Sequence, residues 1–291
     1  SVEDCMMNEE LKKQLRNRRI CVVIPTYNND KTIKTVVEKC LLYCDDVIVV
    51  TDGCTDRTTD ILHAIDGITI VSYPQNRGKG YALKMGFRRA LEMGFSYAIT
   101  LDGDGQHYPE DIPLFLKANQ QHPQSLIIGS RQLEGVDRSK GSSFANKFSN
   151  FWFYVQTGRA LPDTQTGYRL YPLHRLHGLS LLTSRYEAEL ELLVFASWHG
   201  VKLVPIPVQV YYPPRNERVS HFRPGKDFAR ISVLNTVLCF LAVVYGLPLR
   251  LCRALMTILR TVYSLLFFLF FTLVVFTPFV WIYTKFGKMT E

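Results

Sequence analysis

The chain has 291 residues, 47% of them apolar, and Lys plus Arg exceed Asp plus Glu by 34 − 26 = 8 charges. This length fits one large domain, or one domain with an appendage, and the positive charge favours an anionic partner. Seven cysteines without a CxxC pair or metal-ligand spacing argue against a disulfide framework or a zinc site, and they suggest a reducing compartment. Because residues 1–19 are charged and polar, no signal peptide is expected at this end.

Short apolar runs alternate with helical patterns along the chain. Helices are predicted over 8–17, 32–43, 58–65, from about 80 to 93, and over 186–198. Strands are predicted over 20–24, 47–50, 68–72, 97–101 and 126–129, and their continuous apolar character indicates burial on both faces. The alternation predicts an α/β fold with a mostly parallel, doubly wound sheet.

The strand predicted over 97–101 runs into two carboxylates, Asp102 and Asp104, each followed by a glycine. Glycine lets the backbone bend tightly and approach a ligand. Hard oxygen ligands at this spacing suit Mg²⁺ or Mn²⁺, held together with substrate phosphates. A plain Asp-Gly turn is the alternative. An EF-hand calcium loop is excluded, because its sixth and twelfth positions would be His107 and Pro113.

Polar clusters follow nearly every predicted strand, and ligands of such sheets bind beyond the carboxyl ends of the strands. A dinucleotide-binding fingerprint is absent after the first strand, where the sequence is Pro-Thr-Tyr-Asn, and no Walker motif occurs. The clusters are Tyr27-Asn28, Asp52, Asn76 to Lys79, Asp102 to Gln106, and Arg131.

Four motifs in order resemble the family 2 glycosyltransferases, and within that family the dolichyl-phosphate mannosyltransferase-like enzymes. The similarity covers roughly residues 19–230 and continues through Gly129-Ser130-Arg131, residues 163–169, 186–189 and 218–222. The four motifs are Val23-Ile24-Pro25-Thr26-Tyr27-Asn28, Asp52-Gly53-Cys54-Thr55-Asp56, Asn76-Arg77-Gly78-Lys79-Gly80 and Leu101-Asp102-Gly103-Asp104-Gly105-Gln106-His107.

The resemblance implies a GT-A fold, a nucleotide-diphosphate sugar as donor and a divalent metal, Mg²⁺ or Mn²⁺. Nucleotide-sugar binding would fall to Pro25, Tyr27, Asn28, Asp52, Lys79, Asp102 and Asp104, and metal binding to Asp102, Asp104 and Gln106. Lys79 and Arg131 would add positive charge, although Lys79 also fits a solvated lysine at a helix start. Asn29 and Thr51 stand where the family often has acidic residues, which leaves the nucleotide base open.

An acceptor lipid phosphate is the second expectation from the resemblance. Its pocket would contain Arg131, Arg138, Arg215, Arg218 and His221, because the planar fork of arginine holds phosphate in a bidentate manner. A solvated basic surface is the alternative, favoured for Arg223, Lys226 and Arg230.

Asp163 has two interpretations. A phosphate acceptor is already an anion and needs no general base, so Asp163 would orient the loop before Gly167. A hydroxyl acceptor needs a base, for which Asp163 is the candidate, with Glu187 and Glu189 behind it. The predicted catalytic set is therefore Asp104, Arg131 and Asp163. On the helix predicted over 186–198, Glu187 and Glu191 share a face, and one of them is expected to be a solvated charge.

The C-terminal part is apolar. Residues 261–283 carry no charge, and this run is long enough to span a bilayer. The earlier run, 231–247, either spans too or belongs to a basic amphipathic helix containing Arg250, Arg253 and Arg260. The predicted division is a polar helix (1–18), a catalytic domain (19–222), an interfacial or first membrane region (223–260), a transmembrane helix (261–283) and a tail (284–291).

The sequence thus predicts a membrane-associated, inverting glycosyltransferase that faces the cytoplasm and acts on a polyprenyl phosphate, with no nucleic acid as partner and homo-oligomers left open. The donor would be GDP-mannose or a UDP-hexose. Two alternatives remain: transfer to a lipid hydroxyl, and a non-catalytic membrane scaffold.

Overall fold

The computed structural model describes residues 2–131, 140–178, 181–212 and 224–287. The chain divides into two compact units, Ser1–Ala242 and Val243–Glu291. Arg138, Arg215, Arg218, His221 and Arg223, which the sequence assigned to acceptor binding or to a basic flank, lie outside the described residues.

The first unit alternates strands and helices as predicted through its first half. Its strands are β1 (Ile20–Thr26), β2 (Val47–Asp52), β3 (Ile68–Tyr73), β4 (Tyr97–Thr100), β5 (Leu126–Arg131), β6 (Arg169–Pro172) and β7 (Leu203–Val208). Its helices are α1 (Val2–Asn17), α2 (Ile33–Tyr43), α3 (Thr58–His63), α4 (Lys79–Glu92), α5 (Ile112–Gln121), α6 (Lys140–Thr157), α7 (Leu173–Leu176), α8 (Glu187–Trp198) and α9 (Pro224–Leu241), and a 3₁₀ turn spans Pro109–Asp111.

The strands form one sheet in the order β3-β2-β1-β4-β6-β5-β7, which is mostly parallel as the sequence predicts. Strand β6 is the exception, because it pairs antiparallel with both β4 and β5. Thr100 at the end of β4 lies opposite Arg169 at the start of β6. The chain therefore enters β6 from the carboxyl edge of its neighbours, and the loop before it reaches the edge where ligands of such sheets bind.

The core consists of strands buried on both faces with helices packed over them. Every residue of β1 and β2 is buried, which agrees with their continuous apolar sequences. Cys21, Cys40 and Cys44 are buried in this region, and burial raises the pKa of each thiol, that of Cys44 to about 12.

Helix α9 packs against α6 and α8 within the first unit. Leu234, Asn235 and Leu238 are buried. The Gln156 Nε2 atom on α6 donates to Asn235 Oδ1 at 3.0 Å, and Trp198 Nε1 at the end of α8 donates to the Gln156 carbonyl at 2.8 Å. The first part of the predicted apolar run is thus docked on protein through one face.

The second unit contains α10 (Leu247–Phe271) and α11 (Thr277–Gly287), joined by a π-helical turn at Thr272–Phe276. A further π-helical turn, Ala242–Gly246, precedes α10. The helical run Ala229–Thr284 is 56 residues long and, by length and composition, is a candidate to span a membrane. Its large apolar side chains in α10 are exposed, as lipid contact would require.

Candidate functional site

The loop after β4 is closed by its own hydrogen bonds. The Asp102 amide donates to His107 Nδ1 at 3.1 Å, and the Gln106 amide donates to Asp104 Oδ1 at 3.0 Å. Burial lowers the pKa of His107 to about 4, so its ring is neutral at pH 7 and free to accept that bond. Gly105 has φ +81°, a conformation that favours glycine. The two carboxylates are thus presented on a tight, ordered turn.

Gly103 is required by a close approach. A Cβ at this position would lie 2.9 Å from Thr26 Oγ1 and 3.2 Å from Asn29 Oδ1, while the Gly103 carbonyl accepts a 2.6 Å bond from Thr32 Oγ1. Asn29 also accepts a 2.8 Å bond from Thr26 Oγ1. The residue that departs from the family pattern therefore holds the turn after β1 in place.

Lys79 lies between two carboxylates at the start of α4. Its Nζ is 2.6 Å from Asp102 Oδ1 and 3.0 Å from Glu189 Oε2, and its side chain is 14% exposed. Burial disfavours the ammonium, but Asp102 and Glu189 outweigh that effect and raise the Lys79 pKa. The interpretation of Lys79 as a solvated helix-start lysine is therefore wrong, because the side chain is ion-paired at the carboxyl edge of β4.

Asp102 and Asp104 differ in their electrostatics. Burial opposes the Asp102 carboxylate, but the charge of Lys79 holds its pKa below the ordinary value. For Asp104, burial and then the neighbouring Asp102 raise the pKa to about 6. A divalent cation would offset this repulsion, so the two carboxylates fit a hard metal shared with substrate phosphates. Among the described residues, no three His, Cys, Asp or Glu side chains form a metal cluster.

Gly167, in the loop that enters β6, completes the surroundings of the Lys79 ammonium. A Cβ at Gly167 would lie 2.7 Å from Lys79 Nζ and 3.1 Å from both Asp102 Oδ2 and Glu189 Oε1. Thr100 Oγ1 fixes this loop by donating to the Gly167 carbonyl at 2.8 Å. Strands β4 and β6, helix α4 and helix α8 therefore meet at one small cluster.

Asp52 organises the loop between β3 and α4. Its carboxylate accepts the Arg77 amide at 2.8 Å, the Gly78 amide at 2.9 Å and the Asn76 side-chain amide at 3.0 Å. Asp52 is buried, and its carboxylate contacts this loop. Its predicted contact with the nucleotide stays a prediction.

Asn28 ties the loop after β1 to the loop after β2. Its Oδ1 accepts the Thr55 amide at 2.8 Å, and its φ of 51° lies in the left-handed region that Asn tolerates. Tyr27 is partly exposed beside it, whereas Pro25 is buried within β1 opposite Val50. The structure thus brings the predicted nucleotide-binding residues to one edge, and their contact with a base or ribose stays a prediction.

Asp163 is paired with Arg131. Arg131 Nε donates to Oδ2 at 2.6 Å and Nη2 donates to Oδ1 at 2.9 Å, while the Gln165 amide adds a 3.1 Å bond to Oδ1. Burial opposes the carboxylate, but Arg131 outweighs burial and lowers the Asp163 pKa. A carboxylate held in this way is a weak proton acceptor, and its geometry fits the orienting role.

The helix α8 carries three buried glutamates, Glu187, Glu189 and Glu191. The expectation of a solvated charge among Glu187 and Glu191 is wrong. Glu191 accepts a 2.9 Å bond from the Thr183 amide and a further bond from the Leu182 amide, so it closes the loop before α8. Buried carboxylates need such partners, because an unpaired charge in the interior is costly.

Gln106 is fixed through its main chain, whose carbonyl accepts a 2.8 Å bond from the Tyr211 amide. The role of its side chain as a metal ligand stays a prediction.

From the sequence, Glu189 is a candidate only as a general base behind Asp163, and its ion pair with Lys79 is not predicted. Only the position of Glu189 in the 186–189 motif could have drawn attention to it.

Comparisons with known proteins agree with this geometry. The family model described as "Glycosyl transferase family 2" matches residues 21–171, more than half of the chain. The chain is 28% identical to UDP-N-acetylglucosamine–dolichyl-phosphate N-acetylglucosaminyltransferase of Methanococcus voltae, covering 68% of this chain and 88% of that protein. It is 29% identical to polyprenol monophosphomannose synthase of Mycolicibacterium smegmatis, covering 66% and 77%.

A solved structure shows the same fold. Glucosyl-3-phosphoglycerate synthase from Mycobacterium tuberculosis, crystallised with Mn²⁺, uridine diphosphate and phosphoglyceric acid, matches with a TM-score of 0.60. The identity is 18%, and the match covers 81% of this chain and 82% of that one. The GT-A-like architecture expected from the sequence is thereby confirmed.

Proposed function

We propose a specific activity from the premise that this chain belongs to glycosyl transferase family 2. The protein transfers a sugar from a nucleotide-diphosphate donor to a polyprenyl phosphate at a membrane, with inversion at the anomeric carbon. The observation that carries the proposal is the cluster of Lys79, Asp102 and Asp104 at the carboxyl end of β4. The curated relatives named above support the acceptor class, although their sugars differ.

The donor would be held at the ends of β1, β2 and β4. When bound, Mg²⁺ or Mn²⁺ would neutralise charge on the leaving diphosphate, as the Mn²⁺ and uridine diphosphate of the structural neighbour suggest. Asp102 and Asp104 would hold the metal, with Gln106 beside them. Lys79 would place its ammonium near the same phosphates, which stabilises the charge that develops there.

In the transfer step, an oxygen of the acceptor phosphate attacks the anomeric carbon. The bond from that carbon to the diphosphate breaks, and the nucleoside diphosphate leaves with the electron pair. The acceptor is already an anion, so no proton has to be removed. The ion-paired Asp163 is consistent with this route, because its lowered pKa makes it a poor base for a hydroxyl acceptor.

The candidate membrane helix supports a lipid acceptor. Because nucleotide sugars are made in the cytoplasm, the proposal includes a catalytic unit on that side. A scaffold without catalysis is disfavoured, since recruitment does not require two half-buried, mutually repelling carboxylates beside a lysine.

The test is a transfer assay on the full chain in detergent with Mn²⁺. Labelled GDP- and UDP-sugars are each offered with a polyprenyl phosphate, and in parallel with the matching polyprenol and with diacylglycerol. We expect a lipid-linked product with the polyprenyl phosphate and none with the polyprenol or with diacylglycerol. Transfer only to a hydroxyl would contradict the proposed acceptor, and failure of every donor would contradict the proposed activity. A bound nucleotide at 100 times its Kd should also stabilise the fold by about 2.7 kcal/mol.

A further inference from the structure

Lys79 occupies the place at Asp102 where a metal is expected to bind. Its Nζ is 2.6 Å from Asp102 Oδ1, and the same ammonium contacts Glu189 at 3.0 Å. A divalent cation on the Asp102 carboxylate would lie within a few ångströms of the Lys79 ammonium on Oδ1, and the two positive charges would repel each other.

Glu189 has no role in the activity proposed above, yet it is a buried charged residue, with only 6% of its surface exposed. One of its oxygens, Oε2, holds Lys79, and the other, Oε1, is buried without a hydrogen-bond partner among the described residues. That second oxygen would lie 3.1 Å from a Cβ at Gly167, so the carboxylate is at the edge of the Lys79 cluster. Burial of the Glu189 carboxylate is unfavourable because the charge loses its water, and the ion pair with Lys79 is the contact that offsets this cost at Oε2.

We propose that Lys79 is a resident cation of the metal site and that Glu189 is its positioning residue. Without a metal, Lys79 neutralises Asp102. When a divalent ion takes Asp102, the ammonium stays on Glu189 and faces the donor diphosphate. The inference rests on the proposed function for the donor, but its metal competition is testable without any donor.

The first experiment measures Mn²⁺ binding to the full chain in detergent without nucleotide, from the electron paramagnetic resonance of free Mn²⁺. Lys79→Met should bind Mn²⁺ about tenfold more tightly than wild type, because a competing unit charge is removed. Lys79→Arg keeps the charge and should stay near the wild type. Lys84→Met, on the exposed face of the same helix, is the matched control. Equal affinity of Lys79→Met and wild type would overturn the competition.

A second measurement uses the unmodified protein, in case the substitutions prevent folding. Acylation of lysine amines is followed by mass spectrometry with and without Mn²⁺. Labelling of Lys79 should accelerate severalfold when Mn²⁺ is added, because the amine loses one of two carboxylate partners. Lys84 should label at the same rate in both conditions. An unchanged Lys79 rate on saturation with Mn²⁺ would refute the exchange.

The positioning role of Glu189 is tested by turnover in a double-mutant cycle. If Glu189 acts through Lys79, the double variant Lys79→Met/Glu189→Gln should be no slower than Lys79→Met alone. Losses that multiply would show that Glu189 acts on its own and would overturn its positioning role. If wild type transfers no sugar from any donor, the proposed function fails, while the Mn²⁺ and labelling experiments still decide whether Lys79 competes for the site.

Discussion

The guanidinium of Arg131 grips the Asp163 carboxylate with two nearly parallel bonds, Nε to Oδ2 at 2.6 Å and Nη2 to Oδ1 at 2.9 Å. The Asp163 side chain has no solvent exposure, and Arg131 ends strand β5. The pair therefore joins a strand end to the loop that enters β6.

Asp163→Asn should lower the free energy of unfolding by about 3 kcal/mol, because a mostly buried guanidinium loses its charged partner. Denaturant unfolding measures this. Asp45→Asn is the matched control, since Asp45 is exposed and pairs with Lys12 and Arg16 near the surface, where each such pair contributes about 0–1 kcal/mol. A fully stable Asp163→Asn protein without turnover would instead support the role as a base.

The contribution of Asp163 should depend on pH. Arg131 holds the folded-state pKa of Asp163 below its ordinary value, against the effect of burial. The stabilisation is therefore fully present above the unfolded pKa, about 3.9, and is lost as the pH falls through the lower folded pKa. The stability difference between wild type and Asp163→Asn should be constant from neutral pH to about pH 5 and shrink in stronger acid. Unfolding curves across this range check the prediction, and a difference that grows in acid would contradict it.

Asp104→Asn should leave the protein folded but reduce turnover by roughly 10²–10³. Asn keeps an oxygen to accept the Gln106 amide, which Asp104 Oδ1 now accepts at 3.0 Å, but removes the negative charge expected to hold the metal. Turnover against Mn²⁺ concentration, beside a melting curve, is the measurement. Wild-type turnover at limiting Mn²⁺ would show that Asp104 is not a ligand.

Asp52→Ala should raise the donor KM more than it lowers kcat. The substitution removes the acceptor shared by Asn76, Arg77 and Gly78, so the loop before α4 loses its anchor. Leaving such groups unsatisfied costs about 1–3 kcal/mol. Steady-state kinetics and unfolding curves test this, with the exposed Asp66→Ala as control. A normal donor KM would mean that the loop does not serve the donor.

Leu273→Arg should weaken membrane integration. Leu273 lies near the middle of the charge-free run and is 61% exposed. Arginine at the centre of a spanning helix costs about 2.5–3.5 kcal/mol, so a larger fraction should be extracted by alkaline carbonate. Leu273→Ala should stay in the membrane fraction. Equal retention of both variants would argue against a span at this position.

Strands β1 to β5 could be predicted because each is a local apolar run. Strand β7, which is parallel to β5, was not predicted, because Pro205 and Pro207 interrupt its apolar run. Strand β6 was not predicted either. It has four residues, begins at the charged Arg169 and ends at Pro172, and nothing local indicates a strand. Arg169 is buried there because it donates to the Glu189 carbonyl at 2.8 Å and the Thr164 carbonyl at 3.1 Å, partners that only the tertiary structure supplies.

The site was predictable where it follows strand ends and missed where it comes from elsewhere. Asp102 and Asp104 follow β4 directly, so the sequence places them. Glu189 and Gly167 reach the same point from a helix and from a loop that enters an antiparallel strand. Residues of this kind cannot be found by looking only at the segments that follow parallel strands, since their proximity to Asp102 depends on the antiparallel direction of β6.

The buried thiols of the first unit can be used to follow local unfolding of the protein. Cys21, Cys40 and Cys44 are enclosed and held protonated, whereas Cys5 on α1 is exposed. An alkylating reagent will therefore modify Cys5 at once and reach the other three only when the sheet or α2 comes apart. The order in which the thiols are modified during a slow denaturant ramp would show which part of the molecule gives way first.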